Sequence, residues 1–266
     1  MSKSKPSPPG CSGANAPPAT PPAAPADAAA GAGAGAAPAG GAAPATPAAQ
    51  GCPGPVSRDV SERVTETISN GDPPAWNGTY TWDSKYTVTA DRQACTVTVT
   101  MKLKVTGTIT DAQKQTWKNA IETKWNNKAY LCCTGGNCPR GMPITISVEY
   151  VDSGEHYTIT AQTPGATEGG RAGLGGTTSM TGWGVDDTVD ITHEFGHMLG
   201  NPEEYFTTNG HDYTEGGTKQ AVRDPSGGIM NNPANNPLPR NYDSVKSQAQ
   251  TAMGGGTNCV TRAVGS

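Results

Sequence analysis

The sequence predicts an α+β fold, because two periodicities are interleaved along it. Apolar residues recur at every second position in several stretches, as in strands with one buried side, and at spacings of three and four in others, as in amphipathic helices. In order these read as strands, a helix, strands, a second helix and a last helix near the C-terminus.

Composition narrows the function classes. The chain has 266 residues, a net charge of −4 and a pI near 5.6. That balance offers no basic footprint, so nucleic acid is not an expected partner. No apolar run approaches the roughly 18 residues that a membrane span needs. Lys3 and Lys5 are followed by Pro, Ser and Gly where a secretory signal would place an apolar core. A standard signal peptide is therefore not expected. The seven cysteines point the other way, toward an oxidising compartment.

Residues 1–55 read as a tail and 56–266 as one domain. Between Pro6 and Pro55 there is no Leu, Ile, Val, Phe, Tyr or Trp, and Asp27 is the only charge. Such a segment buries too little apolar area to offset its ordering entropy, so disorder is expected. It serves as a linker, a pro-segment or an export signal. Cys52 offers a thiolate that could cap a metal and hold an enzyme latent.

The folded part begins after Val56, with Trp76, Tyr80 and Trp82 the first substantial apolar positions. Cys95, Val97, Val99, Met101, Leu103 and Val105 alternate with Thr and Lys, and Tyr86–Ala90 forms a hairpin partner across Asp91, Arg92 and Gln93. Asp111 caps a helix whose Trp117, Ala120, Ile121 and Trp125 make a core stripe. Cys132, Cys133 and Cys138 suit disulfides, with Cys95 or Cys259 as partners, better than a zinc site. Ile144–Tyr150 and Tyr157–Ala161 are further strands, with His156 exposed in the turn between them. Gly165–Gly176 reads as a mobile loop. Thr177–Trp183 reads as a short edge strand whose free backbone groups could hold an extended peptide, or as plain loop. Asp186 or Asp187 caps the next helix, and the last helix spans Val245, Ala249 and Met253.

The chemistry is concentrated in Asp190–Tyr205, D-I-T-H-E-F-G-H-M-L-G-N-P-E-E-Y. His193 and His197 lie four apart, one turn of a helix, so both imidazoles can reach one ion. At about 100° per residue, Ile191, Phe195, Met198 and Leu199 fall on the opposite, buried side. Gly196 leaves room for a neighbouring backbone. Gly200 stands where a left-handed cap belongs, and Pro202 stops the helix from resuming. Glu203 follows at once as the third ligand. Glu204 could replace it, or could be a surface charge or a support for the ligands. His211 and Glu215 are more distant alternatives. Catalytic zinc takes three protein ligands and an open position for water, and Glu194, off the shared histidine face, is placed as general base.

His193–Glu203 resembles the extended zinc signature of the metzincin metallopeptidases, with Glu203 in place of the last histidine. A similar acidic substitution, Asp preceded by Pro, occurs in the snapalysin group of small bacterial metzincins. Ser226–Pro233, with Met230, resembles the family's methionine turn. The resemblance implies a twisted mixed sheet with a backing helix, an active-site helix and a C-terminal helix. It also implies one catalytic Zn2+, with Met230 as an apolar floor beneath it. Asn232 stands where many metzincins have a tyrosine, so an oxyanion-stabilising tyrosine would be Tyr205, Tyr213 or Tyr242. Close similarity covers about a dozen residues at His193 and a few at Met230; elsewhere only the layout agrees.

The expected function is hydrolysis of protein or peptide substrates by a monomeric zinc endopeptidase. It would be exported without a standard signal peptide, by a secretion or injection apparatus that uses the tail; the alternative location is the cytoplasm. The alternative functions are a non-catalytic binding protein that keeps the ion, and a zinc peptidase of another class with Glu215 on a second helix as third ligand.

Overall fold

A computed structural model describes residues 54–68, 77–134, 138–164, 180–204, 211–215, 218–220 and 227–264. Among the described residues the fold is α+β, with a mixed sheet and three α-helices. The expected tail up to position 53, Cys52, Trp76 and the Gly165–Gly176 loop lie outside the described residues.

Strand β1 (Val56–Ile68) opens the fold, followed by β2 (Gly78–Asp91) and β3 (Thr96–Thr106). The β2–β3 hairpin closes where expected. Asp91 Oδ1 accepts from the Gln93 and Ala94 amides, and Cys95 takes a left-handed φ of 55°. Strand β1, which the sequence reading did not single out, lies antiparallel beside β2 along its whole length. Its inward row includes Val60, Val64, Glu66 and Ile68, all buried.

Helix α1 (Asp111–Trp125) follows. Thr110, one residue before the expected Asp111, is the cap, in a reciprocal capping box with Gln113. A threonine hydroxyl there accepts from the third helical amide, and the glutamine returns the bond to the Thr110 amide. Trp117, Ile121 and Trp125 are fully buried, as the stripe predicted, whereas Ala120 is half-buried. Trp117 Nε1 donates to Gly184 O, and Trp125 Nε1 donates to Thr192 O. Both indoles therefore fill the core, and Trp125 joins α1 to the segment that carries the histidines.

Strands β4 (Ala129–Cys133), β5 (Met142–Tyr150) and β6 (Tyr157–Gln162) complete the middle of the sheet. Strands β5 and β6 both run parallel to β3, at opposite ends of its length, and β4 is antiparallel to β5. His156 is not an exposed turn residue. It is half-buried, and its Nδ1 accepts the Lys102 amide at 2.9 Å. Burial lowers its pKa, with Lys102 adding to the effect. Of the expected edge strand Thr177–Trp183, residues 177–179 lie outside the described residues; β7 (Gly182–Gly184) pairs only with β6 among the described residues and is buried, Trp183 included.

Helix α2 (Asp190–Met198) carries both histidines, and strands β8 (His211–Glu215) and β9 (Thr218–Gln220) extend the sheet beyond β1. Glu215 thus stands on a strand, not on a second helix. A 3-10 turn at Pro239–Tyr242 leads into α3 (Asp243–Ala252), which buries Val245 and Ala249 as expected, with Met253 as its half-buried cap. Strand β10 (Cys259–Ala263) returns to pair with β4.

Cys95 bridges Cys138 and Cys133 bridges Cys259, the latter directly across the β4–β10 pair. Cys132 is disulfide-bonded as well. The Cys133–Cys259 bridge closes a span of 126 residues. Restricting so long a loop in the unfolded chain stabilises the fold by roughly 3–5 kcal/mol. Denaturant titration of a Cys133→Ala/Cys259→Ala variant should show a loss of that order; a change under about 1 kcal/mol would mean that the unfolded chain is not the state being restrained.

Candidate metal centre

Helix α2 is short and depends on its surroundings. Its first residues have no N-cap side chain of their own. Asp187 instead turns back, and its Oδ1 accepts from the Val189 and Asp190 amides at 2.8 and 3.0 Å; Asp186 is exposed. Ile191, Phe195, Met198 and Leu199 are fully buried on the face away from the histidines. The helix ends at Gly200, whose φ is 89°. The Gly200 amide donates to His197 O and the Asn201 amide to Gly196 O, which together make a Schellman turn.

Two carbonyls in the last turn take further donors from β2. Trp82 Nε1 donates to His197 O at 2.8 Å, and Ser84 Oγ donates to Met198 O at 2.9 Å. The Trp82 ring also meets the His197 ring edge-on, with centroids 5.6 Å apart.

The turn delivers Glu203 to the two imidazoles. Glu203 Oε2 lies 3.2 Å from His193 Nε2, and Oε1 lies 3.3 Å from His197 Nε2. Two donors on one tetrahedral ion, at bond lengths near 2.0–2.2 Å, stand about 3.3 Å apart. His193, His197 and Glu203 each offer a ligand atom, all within 4.8 Å of one another, so the buried group could hold a metal ion. The other imidazole nitrogens are engaged with backbone: His193 Nδ1 with Ile229 O at 2.8 Å, and His197 Nδ1 with Asn201 O at 2.7 Å. As donors, the Nδ1–H groups leave each Nε2 lone pair facing the site.

Proton affinities reflect the same convergence. Burial opposes charge on His193, but the Glu203 carboxylate outweighs it and pushes the imidazolium up to about 9. His197 is raised against burial by the same carboxylate. Burial would raise Glu203, yet the two imidazoles hold it well below the usual range. A cation at these donor atoms would therefore compete with protons. Burial raises Glu194, with both histidines pulling the other way. Its carboxylate makes no hydrogen bond among the described residues.

Other expectations need revision. The space at Gly196 admits a side chain, not a backbone: a Cβ there would fall on Met230 Sδ, with Trp125 also close. Glu204 is not a surface charge. It is 1 % exposed and takes both Arg240 Nε, at 2.8 Å, and Arg240 Nη2, at 3.0 Å, on its two oxygens. Tyr242 is fully buried, and its hydroxyl donates to Trp125 O, so it cannot serve an oxyanion at the site. Tyr205 and the side chains of His211, Tyr213 and Glu215 lie outside the described residues.

Several supporting residues were not foreseen. Asn201 Nδ2 donates to Gly196 O and Asn241 O, tying the end of α2 to the turn before α3. Glu66, from β1, accepts the Glu203 amide. An N-P-E run after a helical glycine hints at Asn201; nothing near Glu66 in sequence hints at its partner.

No helix among the described residues is long and apolar enough to cross a membrane. The chain matches no protein-family model, no curated protein and no solved structure.

Proposed function

We propose that the chain is a zinc-dependent endopeptidase of metzincin type, with His193, His197 and Glu203 as ligands and Glu194 as general base. The observation that carries this reading is the convergence of two oriented imidazoles and one carboxylate beside a glutamate that no described donor occupies. Two imidazoles and a carboxylate form a donor set found in catalytic zinc sites, where a fourth position stays open. Met230 against Gly196 supports the resemblance to a methionine turn.

Bound there, zinc would polarise the scissile carbonyl and lower the pKa of the attacking water. Glu194 would accept a proton on its carboxylate from the attacking water and return it to the departing amine. Carbonyls of Ile229 and Asn201 hold the ligand imidazoles in one tautomer throughout. The disulfides fit an exported protein acting in an oxidising compartment.

Peptide-library digestion by the purified chain, before and after exhaustive chelation, tests the reading. Hydrolysis should vanish with the metal and return with one equivalent of zinc. Cleavage that persists in chelated protein of negligible metal content would rule the mechanism out. Zinc affinity should also fall as pH drops, because the raised histidines then bind protons in competition with the ion.

A further inference from the structure

Glu66 is out of character for its position. It lies on the inward row of β1 between Val64 and Ile68, and is itself 1 % exposed. Burying a carboxylate is costly unless it is well bonded. Its Oε1 accepts the backbone amide of Glu203 at 2.9 Å, across 137 residues of sequence. That amide belongs to the residue whose carboxylate faces both imidazoles.

The Glu203 backbone needs such a restraint. Pro202, just before it, has no amide to donate, and the segment from Asn201 to Glu203 belongs to no helix or strand. The Asn201 amide is bound to Gly196 O and the Glu204 amide to Met230 O. Between these two anchors the Glu203 amide points to β1, and Glu66 receives it.

We propose that Glu66 is a positioning residue for the third ligand: by holding the Glu203 amide, it sets the Glu203 carboxylate against the two Nε2 atoms. This rests on the metal-site reading above. Hydrogen bonds behind metal ligands commonly change metal affinity by about 10- to 100-fold when lost.

Two variants separate reach from charge. Glu66→Gln keeps the length of the side chain and an acceptor oxygen, whereas Glu66→Asp keeps the charge but falls one methylene short of the amide. Zinc affinity of the full chain, measured by competition with a chromogenic chelator, should stay within about threefold of wild type for Gln and weaken about tenfold or more for Asp. The visible spectrum of the cobalt-loaded Asp variant should change in step, whereas that of the Gln variant should match wild type. The reverse order of affinities would make Glu66 a source of charge and overturn the proposal, as would equal losses or no loss in either variant. Wild-type chain that failed to bind zinc at all would remove the metal-site reading and this inference together; wild-type binding with an unaffected Asp variant would remove only the inference.

Discussion

Glu194→Gln should reduce peptide hydrolysis by about 10²- to 10⁴-fold while leaving the bound zinc in place. The glutamate lies on the same helix as both ligand histidines but outside the group of three whose donor atoms converge. An amide of equal length fits the same space and cannot accept the proton, so the loss should fall on kcat. Wild-type kcat/KM should rise with pH as Glu194 deprotonates, since only the carboxylate acts as base. Burial places that rise above the ordinary glutamic acid range. Elemental analysis of the variant should return one zinc per chain. A variant that cleaves as fast as wild type would refute the role of Glu194; one that loses its zinc would show that Glu194 belongs among the ligands.

The legible part of this site was the part that lies within one helix and its exit. The histidine spacing, the apolar residues opposite and the Gly200 turn are local consequences of helix geometry, and together they led to Glu203. The residues that hold the site in place come from far along the chain. Glu66 is on the first strand, and Arg240 is 36 residues beyond its carboxylate partner. Neither the periodicity nor the composition near them carries a trace of those pairings.

The same logic explains the uneven reading of the sheet. Strand β3 was plain because its inward row is wholly apolar, from Val97 to Leu103. Strand β1 was obscured by Glu62 and Glu66 on its inward row and by charged residues such as Asp59 and Arg63 on the other. Strand β4 is buried on both sides through most of its five residues, so alternation has nothing to report. The capping error at α1 is smaller in kind: Thr110 and Asp111 are both good caps, and Gln113 decides between them by completing the box.

Arg240→Ala should be among the most destabilising single changes outside the hydrophobic core. The Glu204 side chain has no solvent exposure, and the two Arg240 nitrogens neutralise it as a bidentate pair, with Asn241 Nδ2 adding a third bond at 3.2 Å. Removing the partner of a buried charge costs about 3–5 kcal/mol; since the arginine is a quarter exposed and Asn241 remains, the low end, about 3 kcal/mol, is expected. The damage should reach the metal centre, because the Glu204 amide donates to Met230 O and His193 Nδ1 rests on the neighbouring Ile229 O. Denaturant titration and zinc competition on the same sample therefore should move together. Arg240→Lys, which keeps the charge but not the paired geometry, should fall between the variant and wild type on both scales. If stability drops while zinc affinity holds, the pair supports the fold without steadying the site; if neither moves, water already shares the carboxylate and the pairing is not what holds Met230 against the helix.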